Sequence, residues 1–224
     1  MTPQATPGPK RVARVVAAAA LAATVAAPAP ANARDAAVTF GPIAGTIVLD
    51  EHLSDYRWDT RARAVWGAAG RADLGRLGGG LRVWRASTTQ SLGIPGRDDS
   101  PRVNLTGMEL LGETRLARFA GVRVLGSVTA GLLRIAWSPD AVTVDDGTGQ
   151  SIEIGFPPIS EWTGGVGVGL RRAVAGGFEA GVSVEHGWFR LDTSHRAGTE
   201  IVTERETFGN WTARVELTHR ILQI

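Results

Sequence analysis

Residues 210–224 read Asn-Trp-Thr-Ala-Arg-Val-Glu-Leu-Thr-His-Arg-Ile-Leu-Gln-Ile. Taken alternately, Trp211, Ala213, Val215, Leu217 and Ile221 fall on one side, and Asn210, Thr212, Arg214, Glu216, Thr218 and Arg220 on the other. Side chains that alternate between two faces are the mark of a strand. This strand has one apolar and one charged face. Against water the apolar face covers a core, and in a bilayer it meets lipid. Which of the two it faces decides the fold.

The same period recurs upstream. Val38 to Leu49 reads as a strand bent at Gly41-Pro42. Thr60 to Ala69 sets Ala62, Ala64, Trp66 and Ala68 against Arg61, Arg63, Val65 and Gly67. Leu77 to Ser87, Arg102 to Thr114, Gly121 to Trp137, Glu161 to Arg172 and Phe178 to Leu191 follow, so with the last segment there are eight strands. Gly70 to Gly75, Arg115 to Ala120 and Ala173 to Gly177 read as short connections, and the other four are longer and more polar. One of these, Asp140 to Phe156, carries an Asp-Gly hairpin signal at Asp146-Gly147. Another, Asp192 to Thr207, reads as a protruding hairpin around Arg196-Ala197-Gly198. The expected fold is all-β, an eight-stranded antiparallel up-and-down transmembrane β-barrel. A soluble sandwich or lipocalin-like barrel also has room for eight strands.

The distribution of charge favours lipid. The Ala, Val, Leu and Trp face is nearly free of charge over the nine to eleven residues that a tilted strand needs to cross the hydrocarbon. The opposite face collects Arg61, Arg63, Arg82, Arg123, Arg171, Arg214 and Arg220 with Glu109, Glu113, Glu179, Glu185 and Glu216. That face is also rich in Gly, as at Gly165, Gly167 and Gly169, which suits a crowded interior. Eight strands enclose a space filled by their own side chains, so these charges are expected to pair as a plug. Trp84, Trp137, Trp162, Trp188 and Trp211 lie where strands meet the long loops and are expected to form an outer aromatic girdle, with Trp66 mid-strand and outside it.

Residues 1–33 read as a secretory signal. Lys10, Arg11 and Arg14 precede the small and apolar run Val15 to Ala27, and Ala31-Asn32-Ala33 is a cleavage site, leaving residues 34–224 as the barrel domain. Removing three of the 24 basic residues leaves 21 arginines against 22 acidic residues, so no basic balance points to nucleic acid. There is no Cys and no His cluster at metal-ligand spacing, and neither cofactor nor metal is expected. The Gly-x-Gly-x-Gly run at 165–169 lacks the helix that a dinucleotide site requires.

In its architecture the chain resembles the small eight-stranded outer-membrane barrels, the barrel domain of OmpA and OmpX among them, over Val38 to Ile224. The resemblance implies Sec-type export to the bacterial outer membrane, contact with its lipids and lipopolysaccharide, insertion by the barrel assembly machinery and a monomeric state. Barrels of that family usually end in an aromatic residue, whereas this chain ends Leu222-Gln223-Ile224 with the alternation shifted by one. The expected function is a structural, adhesive or surface-interaction role through the outer loops, with an unidentified extracellular ligand. Two alternatives remain. One is a lipid-modifying enzyme similar to outer-membrane deacylases and palmitoyl transferases, for which Ser183, Glu185 and His186, or Ser194 and His195, would supply the chemistry. The other is a soluble lipocalin-like periplasmic binder.

Overall fold

The computed structural model describes residues 36–50, 57–91, 100–145, 150–197 and 200–223. The leader, Tyr56, the Gly93–Asp99 stretch, the Asp146–Gly149 turn and Gly198 lie outside the described residues. Ten strands follow in order: β1 (Ala36–Leu49), β2 (Arg63–Leu74), β3 (Leu77–Thr89), β4 (Arg102–Phe119), β5 (Val122–Ser138), β6 (Ala141–Asp145), β7 (Ser151–Gly155), β8 (Ile159–Ala173), β9 (Phe178–Ala197) and β10 (Glu200–Gln223). Eight close into an antiparallel barrel in the order β1-β10-β9-β8-β5-β4-β3-β2, and β6 and β7 form a separate hairpin in the β5–β8 connection. The closing stave is β10, which pairs with β1 from Leu49↔Asn210 to Ala37↔Gln223. The register slips between Val38 and Thr39, whose partners are Leu222 and Arg220, so Ile221 is the extra residue of a bulge. This bulge is the physical origin of the shifted alternation at the end of the chain.

The register fixes the size of the barrel. Hydrogen-bonded partners lead from Thr39 through Arg71, Gly80, Leu111, Thr129, Gly165, Gly187 and Asn210 back to Leu49, ten residues further along β1. A stagger of ten over eight strands tilts them by about 40° and sets a backbone radius of about 8 Å, with about 2.5 Å of axial rise per residue. Such a bore holds side chains and little else.

Burial is inverted relative to a water-soluble protein. Leu110 is 65% exposed and Trp162 is 74% exposed, while Arg82 and Arg214 are 2% and 3% exposed. On β9, Phe178, Ala180, Val182, Val184 and Trp188 face out, opposite Glu179, Gly181, Ser183, Glu185 and Gly187. From Phe178 to Trp188 this outward run, apolar but for His186, climbs about 25 Å, the height of the lipid-facing band of a membrane barrel.

Near the level of the outward tryptophans the polarity reverses. Outward positions become Arg85 and Ser87 on β3, Asn104 and Arg102 on β4, Arg134 and Ser138 on β5, and Arg190 and Asp192 on β9. Inward positions become Trp84 and Ala86, Leu105 and Val103, Leu133, Ile135 and Trp137, and Phe189 and Leu191. Each strand is thus built for lipid along its lower part and for water above it. The reversal marks where the bilayer ends.

Several boundaries differ from those expected. Gly70 to Gly75 is not a turn: β2 continues to Leu74, and the hairpin turns at Gly75 and Arg76, where Gly75 takes a φ of 65°. β4 likewise runs through Arg115 to Phe119, with a register slip between Arg115 and Ala117. The hairpin expected over Asp192 to Thr207 is built from paired extensions of β9 and β10, which makes Ser194 and His195 strand residues.

Candidate functional site

The lumen brings most of the expected charges together in two groups. The middle group holds Arg82, which donates to Glu109 Oε2 at 2.8 Å and to Glu185 Oε1 and Oε2 at 2.9 and 2.8 Å. Trp84 Nε1 donates to the other Glu109 oxygen at 2.8 Å, and Arg214 Nη1 lies 3.1 Å from Glu185. The lower group starts at Arg71, which forks onto Glu216 and lies 3.4 Å from Glu113. It continues through Arg171 on Glu113 at 2.9 Å, Arg123 on Asp73 at 3.1 Å and on Glu179, and Arg220 on Glu179 at 3.2 Å. The middle group has two arginines and two glutamates, and the lower has four arginines and four acids. Each is formally neutral. In low dielectric this balance and the forked geometry are what make buried ions tolerable.

Glycines make the room. A Cβ on Gly165 would stand 2.7 Å from Thr129 Oγ1 and 3.1 Å from Glu185 Oε1, and one on Gly167 would stand 2.8 Å from Ser127 Oγ. At Gly165 the missing side chain is the space that Glu185 occupies. What voids remain are small: about 20 Å³ beside Arg71, Arg82 and Glu216, and about 10 Å³ between Trp84, Glu109 and Arg214. Each holds about one water molecule.

Arg71 and Asp73 belong to this network and were hidden in the supposed Gly70–Gly75 turn. The signal was present, because Val65, Gly67, Ala69, Arg71 and Asp73 continue one parity. Two expected members do not belong. Arg61 lies beyond the end of β2 with its side chain 83% exposed, and Arg63 stops at the mouth; both bind Asp59. Hydrogen bonds from the Arg61 side chain and backbone, with the charge of Arg63 beside it, hold the Asp59 carboxyl well below the usual carboxylate range.

Above the ions the inward face turns apolar, with Ile47, Leu49, Trp58, Trp84, Leu105, Leu133, Ile135, Trp137, Phe189, Leu191 and Phe208 packed together as a cap, and Ile43, beside Glu216, joins the same cluster from below. Trp58 and Trp137 both donate to Gln90 Oε1, at 2.9 and 2.7 Å. Trp84 and Trp137 are therefore not girdle residues. They share the parity of Arg82 and of Arg123, respectively, and point inward.

Of the five expected girdle residues, Trp162, Trp188 and Trp211 face outward on adjacent staves. Trp188 is opposite Gly164 and Trp211 is opposite His186, a step of two residues each time. With the strand tilt, the three lie within about 4 Å of one level, and outward-facing Trp66 lies about 4 Å lower. In vesicles of brominated lipid, Trp162→Phe and Trp211→Phe are expected to reduce the quenchable tryptophan fluorescence, whereas Trp84→Phe and Trp137→Phe leave it unchanged. Loss of quenchable signal in Trp84→Phe would contradict the inward placement.

Ser183, Glu185 and His186 do not converge. Ser183 and Glu185 face the lumen, and His186 faces out with its ring 4.7 Å from that of Trp211. The side chains of Ser194 and His195 lie outside the described residues. Among the described residues no cluster of His, Asp and Glu has the arrangement of a metal site.

No protein-family model matches the chain, and no curated protein sequence does. Solved structures do. Neisserial surface protein A aligns over 81% of this chain and 97% of its own length, with 11% identity and a TM-score of 0.49. AlkL, an outer membrane protein determined in lipid bilayers, aligns over 89% and 95% with 14% identity and a TM-score of 0.47. Ail of Yersinia pestis aligns over 82% and 97% with 14% identity and a TM-score of 0.38. These are distant likenesses of shape. The chain's own closed ring of eight strands, stagger of ten, lipid-facing exterior and ionic lumen give it the fold of the small eight-stranded outer-membrane β-barrels.

Proposed function

We propose that the protein is exported by residues 1–33, sits in a bacterial outer membrane as a closed monomeric barrel, and acts through the sheet it raises above the bilayer rather than through a pore. The observation that carries this reading is the filling of the lumen. Balanced ion pairs occupy its lower part and aromatic side chains its upper part, with voids the size of single waters between them. Above the tryptophan level stand two hairpins, β6–β7 and the paired extensions of β9 and β10. Surface-raised structure on a rigid scaffold is where recognition concentrates.

Reconstituted in planar bilayers, the full chain is expected to give no stable open-channel steps; large steady conductance would overturn the closed lumen. The surface role is read separately. Cells carrying a chain without residues 141–155 should lose adherence to immobilised matrix protein or polysaccharide, while the barrel still migrates as a folded species on unheated gels. Unchanged adherence across such substrates would remove the hairpin from the role.

A further inference from the structure

The end of the barrel with the tight turns carries arginines that the lumen network does not use. Arg76 sits in the β2–β3 turn, Arg115 and Arg118 at the foot of β4, and Arg172 at the foot of β8. The six arginines of the lumen all lie within ion-pair distance of carboxylates. Arg76, Arg115 and Arg118 have no side-chain partner among the described residues, and together they line a cleft of about 270 Å³ completed by Leu116 and Ala117. Among the described residues, the acids near this end are Asp73, Glu113 and Glu179, and all three are engaged by lumen arginines.

A bulge builds the cleft. Up to Thr114, even-numbered residues of β4 face outward, so unbroken alternation would send Arg118 outward. The slip between Arg115 and Ala117 instead makes Arg118 the partner of inward-facing Arg123, and opposed residues share a face. Leu116, the extra residue, is 55% exposed and covers Gly126 on the outer wall, where an added Cβ would meet its Cδ1 at 3.3 Å. Arg115 and Arg118 thereby point to the same rim, and the Arg115 N–H donates to the Arg76 carbonyl at 2.8 Å, which ties the turn to the bulge. Arg76 and Arg115 also border the small cavity lined by Asp73 and Glu113, but those carboxylates are already paired with Arg123 and Arg171, so the cleft itself presents three like charges that favour an anion.

We propose that Arg76, Arg115 and Arg118 form a phosphate-binding site at the tight-turn mouth of the barrel. The guanidinium fork is matched to phosphate oxygens. The cleft lies about 25 Å below the tryptophan level, at the opposite face of the hydrophobic band. A phospholipid headgroup and a soluble phosphorylated molecule both reach that place. The site rests on the membrane reading only for which of the two sources is nearer.

Two arms separate the sources. Pyrophosphate titrated into the folded full chain in zwitterionic detergent reports a soluble ligand by calorimetry. The rise in thermal unfolding midpoint on adding phosphatidylglycerol to phosphatidylcholine nanodiscs reports a lipid one. Either signal is expected to fall by about tenfold in affinity for each guanidinium removed, and to vanish in the Arg76→Gln/Arg115→Gln/Arg118→Gln variant. Arg85→Gln/Arg134→Gln, at the other end, should keep it. Exposed Arg118→Gln alone serves if the triple variant does not fold. No binding in either arm, or equal binding by the variants, overturns the site. Heat-modifiable gel migration of the same samples reports the barrel independently, so failure of the site and failure of the membrane reading are distinguishable.

Discussion

Arg82→Met is expected to lower the free energy of unfolding by about 3 to 5 kcal/mol. Arg82 is 2% exposed and is the only cation hydrogen-bonded to both Glu109 and Glu185 among the described residues. Without it, Glu109 keeps the Trp84 N–H, and Glu185 keeps Arg214 at 3.1 Å and a long hydrogen bond of 3.4 Å from Thr129. Two buried carboxylates would then be left with one guanidinium, Arg214, in contact with Glu185 alone. Methionine fills much of the vacated volume, so the loss reports charge more than cavity. Urea unfolding in lipid vesicles, followed by the fraction that migrates as folded without heating, measures it. Adding Glu109→Gln to Arg82→Met should recover part of the loss by removing one uncompensated charge. Arg205→Gln, at a half-exposed pair with Glu161 above the membrane, should cost about 0 to 1 kcal/mol. Equal losses in Arg82→Met and Arg205→Gln would show that the lumen pairs do not hold the barrel together.

Period two runs through almost the whole chain, and the structure departs from expectation where distance along a strand or glycine content points another way. Trp84 and Trp137 stand at the distance along their strands that suits a girdle, yet their parity is that of Arg82 and Arg123. Glycine misled for a related reason. In a soluble protein Gly70 and Gly75 would bracket a turn, but in a barrel of about 8 Å radius glycine is a strand residue, and Gly70 lies in the middle of a ladder. The apolar cap was invisible for a different reason. Val103, Leu105, Leu133, Ile135, Phe189, Leu191 and Phe208 all have inward parity, but giving each face a single polarity hides a reversal halfway up. The ion pairs themselves join strands as distant as Arg71 and Glu216, and only the closed ring brings those together.

Gly45→Ala is expected to cost about 3 kcal/mol or more, or to prevent closure altogether, although it adds a single methyl group. Gly45 faces inward on β1 opposite Arg214 of β10. Its Cβ would lie 2.0 Å from the Ala213 carbonyl oxygen and 2.9 Å from the Arg214 Cα, both main-chain atoms. No rotamer change relieves that contact, since unstrained carbon contacts lie at about 3.5 to 4 Å, and β10 would have to move away from β1. Gly41, four residues earlier on the same seam, is crowded in the same way, with the Leu217 oxygen at 2.0 Å and the Thr218 Cα at 2.7 Å. Gly67 against the Val83 oxygen at 2.0 Å and Gly131 against the Met108 oxygen at 2.1 Å are crowded in the same way, so the contact marks the close approach of neighbouring staves in a narrow barrel, at the seam as elsewhere. Gly79→Ala is the control. It faces outward on β3, its Cβ meets the Leu111 oxygen at an ordinary 3.5 Å, and its effect should stay within about 0.5 kcal/mol. Refolding yield into vesicles, read on unheated gels, compares the two. If Gly45→Ala folds as fully as Gly79→Ala, the first and last strands do not approach as closely as the described seam requires.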